Sequence, residues 1–454
     1  MSSLQAVVSW RVGDHMTSST QMAEEEVVGL ARDLIRIDTT NTGDPDTVVG
    51  ERAAAEYIAE KLTEVGLETT YLESGARGRG NVFARLPGAK PDRGALLVHS
   101  HLDVVPADPG EWSVHPFSGE VHDGYLWGRG AVDMKDMVAM TLAVARRLKR
   151  DGVVPPRELV FAFLADEETG GYQGSQWLVE HRRELFEGCT EAIGEVGGFS
   201  MTFSDGMRAY LVGTAEKAMA VMRLRVRGLA GHGSLLNDDN AITKLCEAVT
   251  RLAQHRFPLV LTDSVRELLA VLTEITGLAF PENNLDAAIV KLGGFARALG
   301  AVLRDTANPT MLDGGVKVNV IPSKAEAVVD CRVLPGRFGA FERELDEVLG
   351  SEVEREWIAN LPAVETTFDG QLVKAMSDAI LAEDPGARLI PYMLAGGTDA
   401  KALSRLGIRC FGFTPLRLPP SLDFPALFHG IDERVPVDAL RFGTRVLDRL
   451  LRSC

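Results

Sequence analysis

One run constrains this chain more than any other. Residues 95–106 read ALLVHSHLDVVP, an apolar strand that ends in a histidine with a carboxylate two positions on. Side chains alternate along a strand, so His101 and Asp103 point to the same side. A neutral imidazole can give one nitrogen to a metal while the carboxylate takes the other N–H and fixes the tautomer. His99 shares that strand face, and spacing alone leaves it a rival to His101.

The chain has 454 residues, too many for one ordinary core, so two domains are expected. A composition of 45% hydrophobic and 25% charged residues is that of a soluble globular protein. The net charge of −16 disfavours nucleic acid or an anionic membrane as a partner. Cys189, Cys246, Cys331, Cys410 and Cys454 are scattered and form no C-x-x-C pair, so they read as free thiols in a reducing, cytoplasmic compartment. No apolar run is long enough to span a membrane. The first residues lack a signal-peptide pattern, and 1–22 reads as a loose tail.

Apolar spacing predicts helices over Glu24–Ile37, Val48–Val65 and Met134–Arg150, with strands at Glu68–Leu72, Asn81–Leu86 and Ala95–His101 between them. Leu159–Ala165 is continuously apolar, as in a parallel strand covered on both faces. Strands alternating with helices give an α/β domain. The texture changes near Thr214. Ala218–Val226 alternates strictly, as an antiparallel strand with one wet face does. A helix at Ala241–Gln254, an irregular stretch over 256–315, strands at Val316–Ile321 and Ala325–Leu334, and a helix at Phe341–Leu349 follow. The α/β pattern then resumes with helices near Gln371–Leu381 and Val437–Leu451. The expected organisation is a discontinuous metal-binding domain, 23–214 and 361–454, interrupted by an inserted domain over 215–360.

Ligands of open α/β sheets collect at the carboxyl ends of strands. Every metal-ligand candidate lies at such an end or in the loop after it. His101 is the first. Asp133 follows a double-glycine turn, GRGAVD, and by itself would pass for a helix cap worth about 1 kcal/mol. Asp166-Glu167-Glu168 closes the Leu159–Ala165 strand, and three adjacent carboxylates repel one another unless a cation joins them. Glu195, in GEVGG, and His429, in LFHG, complete the set. Each alone has a bland explanation: a satisfied core histidine or a solvated acid. Together, two histidines and three carboxylates can hold two borderline cations bridged by one aspartate. Such a pair lowers the pKa of a shared water toward 7, and a free glutamate can take its proton.

HSHLDVVP, GRGAVDMK, DEETGG, GEVGG, GHGS, VNVIP, CRVLP, GGTDA and LFHG follow one another in this order. In this the chain resembles the co-catalytic zinc superfamily of aminoacylases, carnosinases, glutamate carboxypeptidases and succinyl-diaminopimelate desuccinylases. The resemblance implies a zinc-peptidase-like mixed sheet covered by helices, with a ferredoxin-like lid that dimerises. It implies His101, Asp133, Glu168, Glu195 and His429 as ligands of two Zn2+, with Co2+ or Mn2+ as substitutes. Asp103 would orient His101, Asp133 would bridge, and Glu167 would be the general base. His232 would steady the oxyanion in a neighbouring subunit's site. Asn319, Arg332, Gly397 and Thr398 would hold the substrate, Arg332 by clamping a carboxylate. Asp399 reads as a helix cap. Asp136 stands where the superfamily usually has glycine, and could either crowd the site or face solvent.

The expected activity is hydrolysis of an amide bond in a small N-acyl amino acid or dipeptide with a free carboxylate. Hydrolysis of a carbamoyl or ureido amide, and a non-catalytic binding protein on the same fold, are the competing readings.

Overall fold

The computed structural model describes residues 21–203, 206–292 and 299–454, so residues 1–20 of the expected tail lie outside it. The chain divides into two compact units. One runs to Gly213 and takes in Thr366–Ile390 and Thr398–Cys454; the other is Thr214–Glu365 with Pro391–Gly397.

The first unit is built on a mixed sheet. Its strands lie in the order Thr69–Glu73, Gly80–Leu86, Leu159–Leu164, Ala95–His101, Cys189–Gly194 and Arg409–Gly412. The last four are parallel and the first two antiparallel. The two central strands are buried at every position, which explains their unbroken apolar character. Leu97, Val160, Ala162 and Leu164 pack on one face with Leu178, Val179 and Leu403. Helices Ala23–Arg36, Lys135–Arg150 and Val437–Ser453 pack together, and Lys135–Arg150 also lies against the central strands. Register pairs His101 with Leu164 and Val98 with Ile193, so three strands end side by side.

The helix expected from Val48 begins only at Arg52. Gly50 has φ +85°, and Gly78 O accepts both Glu51 N and Arg52 N, which holds this stretch in a turn.

The second unit carries a four-stranded antiparallel sheet in the order Thr306–Gly314, Lys324–Val333, Ala218–Arg227 and Glu354–Leu361. With helices Ala241–Gln254 and Phe338–Leu349, the chain order is β-α-β-β-α-β, the split βαβ arrangement. Met222, Leu224, Val329, Leu245, Phe341 and Leu345 share its core. The opposite face is wet and laced with pairs such as Arg225–Glu326 at 2.6 Å.

Two expectations fail here. The stretch over 256–315 is not irregular: it holds a helix at Asp263–Thr276, capped by Thr262, and the strand Thr306–Gly314. Pro309 argues against a strand in sequence. It is tolerated because this strand forms an edge and is bulged between Pro309 and Met311. The strand expected at Val316–Ile321 is largely a turn, with only Val320–Ile321 extended. All five cysteines are free. No helix among the described residues is long and apolar enough to cross a membrane.

Candidate metal centre

The three adjacent strand ends deliver His101, the Asp166–Gly171 turn and Glu195 to one place. Asp133 arrives from the turn before helix Lys135–Arg150, and His429 from the loop before strand Arg434–Pro436. Asp133 sits between the two histidines. Its Oδ1 is 3.1 Å from His101 Nε2, and its Oδ2 is 3.2 Å from His429 Nε2. Each histidine faces a second carboxylate: Glu195 Oε2 lies 3.4 Å from His101 Nε2, and Glu168 Oε2 lies 3.2 Å from His429 Nε2. The arrangement is two half-sites sharing one aspartate.

Donor atoms of His101, Glu167 and Glu195 lie within 4.8 Å of one another, as do those of His101, Asp133 and Glu168. Glu167 therefore faces the same centre. Neither His99 nor His429 enters these two groups, but His429 Nε2 lies 3.2 Å from both Asp133 Oδ2 and Glu168 Oε2, and His99 has no such carboxylate contact among the described residues. Its ring packs on Gly194, where a Cβ would sit 2.3 Å from Nε2, and burial pushes its pKa down to about 4. This removes the rival to His101.

The donors fit a cation. They are nitrogen and oxygen with no thiolate, the set that suits a borderline metal in a catalytic rather than a structural site. Glu168 Oε1 is buried with no hydrogen-bond partner among the described residues, so a charged oxygen is left for an ion to satisfy. The groups respond to this crowding in different directions. Burial would raise Asp133, but hydrogen bonds to His101 and His429 hold it below the ordinary carboxylate range. Burial, with the Glu195 and Glu168 charges nearby, pushes Glu167 well above the ordinary carboxylate range. Burial likewise raises Glu195 to about 8. Burial would lower His101, but the Glu195 charge and hydrogen bonds to Asp103, Asp133 and Glu195 hold it well above its usual value. Hydrogen bonds to Asp133 and Glu168 raise His429 to about 10.

Asp103 serves more than the histidine. His101 Nδ1 lies 3.0 Å from the Asp103 main-chain oxygen and 3.4 Å from Oδ1. The carboxylate accepts Glu167 N and Glu168 N, each at 3.1 Å. One residue thus orients both a ligand and the neighbouring carboxylate pair. On the other side, Glu433 is fully buried and accepts Arg129 Nη1 at 2.7 Å and Val132 N at 2.7 Å, with Gly130 N and Asp133 N at 3.1 and 3.2 Å. It ties the Asp133 turn to the His429 loop. Sequence reading missed it, although an acid four residues past His429 was a usable signal.

Two side-chain expectations are corrected. Asp399 occupies the N-cap position of Ala400–Leu403 as expected, but its side chain makes no cap bond there; Thr398 Oγ1 accepts Ala400 N at 3.1 Å. Asp399 is instead buried against the Gly171 turn, with Ser175 on one side and Oδ1 unpartnered, and burial raises its pKa to about 7. Asp136 does not face solvent. It is buried, its Oδ2 has no hydrogen-bond partner among the described residues, and it lines a small cavity with Glu195, Phe199, Phe424 and Thr414.

The remaining expected residues are described within their own units. Gly397 belongs to the Pro391–Gly397 segment of the second unit, and Thr398 to the first. His232 is brought to Asn319, since Gly233 N donates to Asn319 O at 2.9 Å. Ser234 engages His232 Nδ1 through its N at 3.2 Å and its Oγ at 2.8 Å, which leaves Nε2 as the ring's outer nitrogen. Both His232 and Asn319 are exposed. Arg332 makes a two-pronged bond to Asp330 at 2.6 and 2.9 Å.

The profile of peptidase family M20/M25/M40 matches residues 97–453. Pig (Sus scrofa) aminoacylase-1 is 29% identical over 449 residues, spanning 96% of this chain and 97% of its own. The Xenopus tropicalis N-fatty-acyl-amino acid synthase/hydrolase PM20D1 is 27% identical over 477 residues, spanning 99% and 90%. Among solved structures, human carnosine dipeptidase 1 superposes with a TM-score of 0.67 at 16% identity, over 94% of this chain and 95% of that one. An M20 family metallo-carboxypeptidase from Sulfolobus solfataricus gives 0.68 at 17%, over 94% and 98%.

Proposed function

The chain belongs to peptidase family M20/M25/M40 and is a metal-dependent hydrolase, and from that premise we propose that it cleaves the amide bond of a small N-acyl amino acid with two zinc ions. The observation that carries this reading is Asp133 set between two histidines, each with its own second carboxylate. His101 and Glu195 would hold one ion and His429 and Glu168 the other, with Asp133 common to both. When bound, the ions polarise the scissile carbonyl and acidify the attacking water.

The protein's own groups do the rest. Glu167 faces the same centre without being needed as a ligand, and its affinity for a proton suits a base that takes one from water and passes it to the leaving amine. Asp103 holds Glu167 and Glu168 by their main-chain N–H groups and His101 by its Nδ1 side. His232 offers its outer nitrogen, Nε2, as a donor to the oxyanion, acting in a neighbouring subunit through a homodimer of the inserted lid domain. Exposed Leu235, Leu236, Val316 and Val318 in that domain support such an interface. Arg332, pre-set by Asp330, together with Asn319, Gly397 and Thr398, binds the substrate carboxylate.

Acyl amino acids are favoured over dipeptides because two relatives spanning nearly the whole chain carry that chemistry in their names. We place the enzyme in the cytoplasm on its free thiols. A panel of N-acetyl, N-acyl, N-carbamoyl and dipeptide substrates with added zinc or cobalt tests the reading. Turnover of N-acyl amino acids supports it. Turnover of N-carbamoyl compounds alone, or none at all with metal bound, overturns it.

A further inference from the structure

Behind the metal centre lies a buried polar chain that begins at Arg79. Its Nη1 donates to Glu51 Oε1 at 2.6 Å. Its Nη2 meets Asn41 Oδ1 at 3.2 Å and Asp166 Oδ1 at 3.0 Å. Asn41 Nδ2 then donates to Asp103 Oδ2 at 2.8 Å and to Asp166 Oδ1 at 3.1 Å. All five side chains are buried. The chain ends on the Asp103 carboxylate, whose two oxygens hold Glu167 N and Glu168 N.

We propose that Arg79 is a positioning residue for the Glu167–Glu168 turn, acting through Asn41 and Asp166. Three observations carry this. The Asn41 oxygen accepts from Arg79 and from Gly43 N at 3.1 Å while its nitrogen donates to two carboxylates, so Arg79 is one of the groups that fix which way that amide faces. Asp166 holds a left-handed φ of +69°, a strained conformation for a residue with a side chain, and persists only while its surroundings pin it. Arg79, Asn41, Thr169 Oγ1 at 2.7 Å and Gln173 N at 2.7 Å are the pins. Finally, Arg79 is a buried cation facing Glu51 and Asp166, with Asp103 one residue further on. Without it Glu51 Oε1 and Asp166 Oδ1 would each lose a charged donor in a dry interior, and the turn would shift. A displacement of about 1 Å at a proton-transferring group is enough to cost a large part of its effect.

The inference rests on Glu167 acting as the base, and its test separates the two. Zinc-loaded wild type, Arg79→Met, Arg79→Lys, Glu167→Gln and the control Arg157→Met are compared on the N-acetyl amino acid that the wild type hydrolyses best. Arg157 is an equally buried arginine at the opposite end of the same strands, paired with Glu191 at 2.5 Å. In Arg79→Met, kcat falls about 10- to 100-fold with KM and zinc content unchanged. Arg79→Lys keeps the charge without the fork and regains part of that loss. Arg157→Met loses thermal stability but keeps kcat. If Arg79→Met does not fold, Asn41→Leu is read in its place; if Arg157→Met does not, Glu191→Gln is the control. A wild-type kcat in Arg79→Met, a loss confined to KM or zinc content, or an equal kcat loss in the control overturns the assignment. Ordinary turnover in Glu167→Gln overturns the base instead, whatever Arg79 does.

Discussion

The two ends of the parallel strands in the first unit bury charge in opposite ways. At the amino end, Arg157 reaches Glu191, the Gly94 and Ala95 carbonyls and Thr190 Oγ1, so its cation meets an anion and its remaining donors meet acceptors. At the carboxyl end, Asp133, Glu167, Glu168 and Glu195 gather round two imidazoles, with Asp103 and Asp399 behind them. Carboxylates outnumber the cations there, burial raises Glu167 and Glu195, and Glu168 Oε1 has no partner among the described residues. The first end is complete as protein. The second is complete only with an added positive charge, and that difference separates a structural cluster from a reactive one.

Four measurements would break or sharpen this contrast. The largest effect is expected from Glu167→Gln, which leaves the ligands in place yet lowers turnover by roughly 10²–10⁴-fold or more; steady-state kinetics with zinc analysis would show it, and ordinary turnover would remove Glu167 from the chemistry. Next is Glu191→Gln at the other end, which strands a buried guanidinium. It should destabilise the fold by up to about 3 kcal/mol in urea unfolding while kcat stays put; a change in kcat would erase the distinction between the ends.

The third is pH. In metal-free protein, hydrogen bonds to Asp133 and Glu168 raise His429 to about 10, and burial raises Glu195 to about 8. Both folded values lie above the unfolded ones, so the folded state binds more protons. Their stabilisation is complete below the unfolded values and fades as pH climbs through the folded ones. In EDTA, therefore, Tm should fall between pH 6 and pH 9, and zinc should raise Tm most at the alkaline end, where ligands shed protons readily. A flat profile in EDTA would deny that the site end is short of positive charge. The smallest effect is expected from Glu195→Gln. It should slightly stabilise metal-free protein, because an ionisable group leaves a dry pocket, while weakening zinc binding; equal destabilisation with and without metal would make Glu195 structural.

Much of this gathering was legible in the sequence because the candidate ligands sit at breaks in strong patterns. An apolar strand that ends in His101, a glycine turn before Asp133 and an acidic triplet after LVFAFL each announce a strand end. His101 and His99 could not be told apart, because their difference is a packing fact: Gly194 leaves room for one ring, and register places the other at the strand tip. Arg79 was illegible for a similar reason, since it acts through partners distant in sequence, and Glu433 had only its nearness to His429 to mark it. In the second unit the strand Glu354–Leu361 alternates outward and inward as a half-buried strand should. Thr306–Gly314 was hidden by a proline that only an edge position tolerates.

One asymmetry between the half-sites has a kinetic consequence. The His101 side chain is 0% exposed, whereas that of His429 is 57% exposed. An ion held by His429 and Glu168 has a doorway to the surroundings that its neighbour lacks, so release to a chelator should be biphasic, with the outer ion leaving first. On the proposed two-ion reading, the outer half-site would also be the first to refill when metal returns.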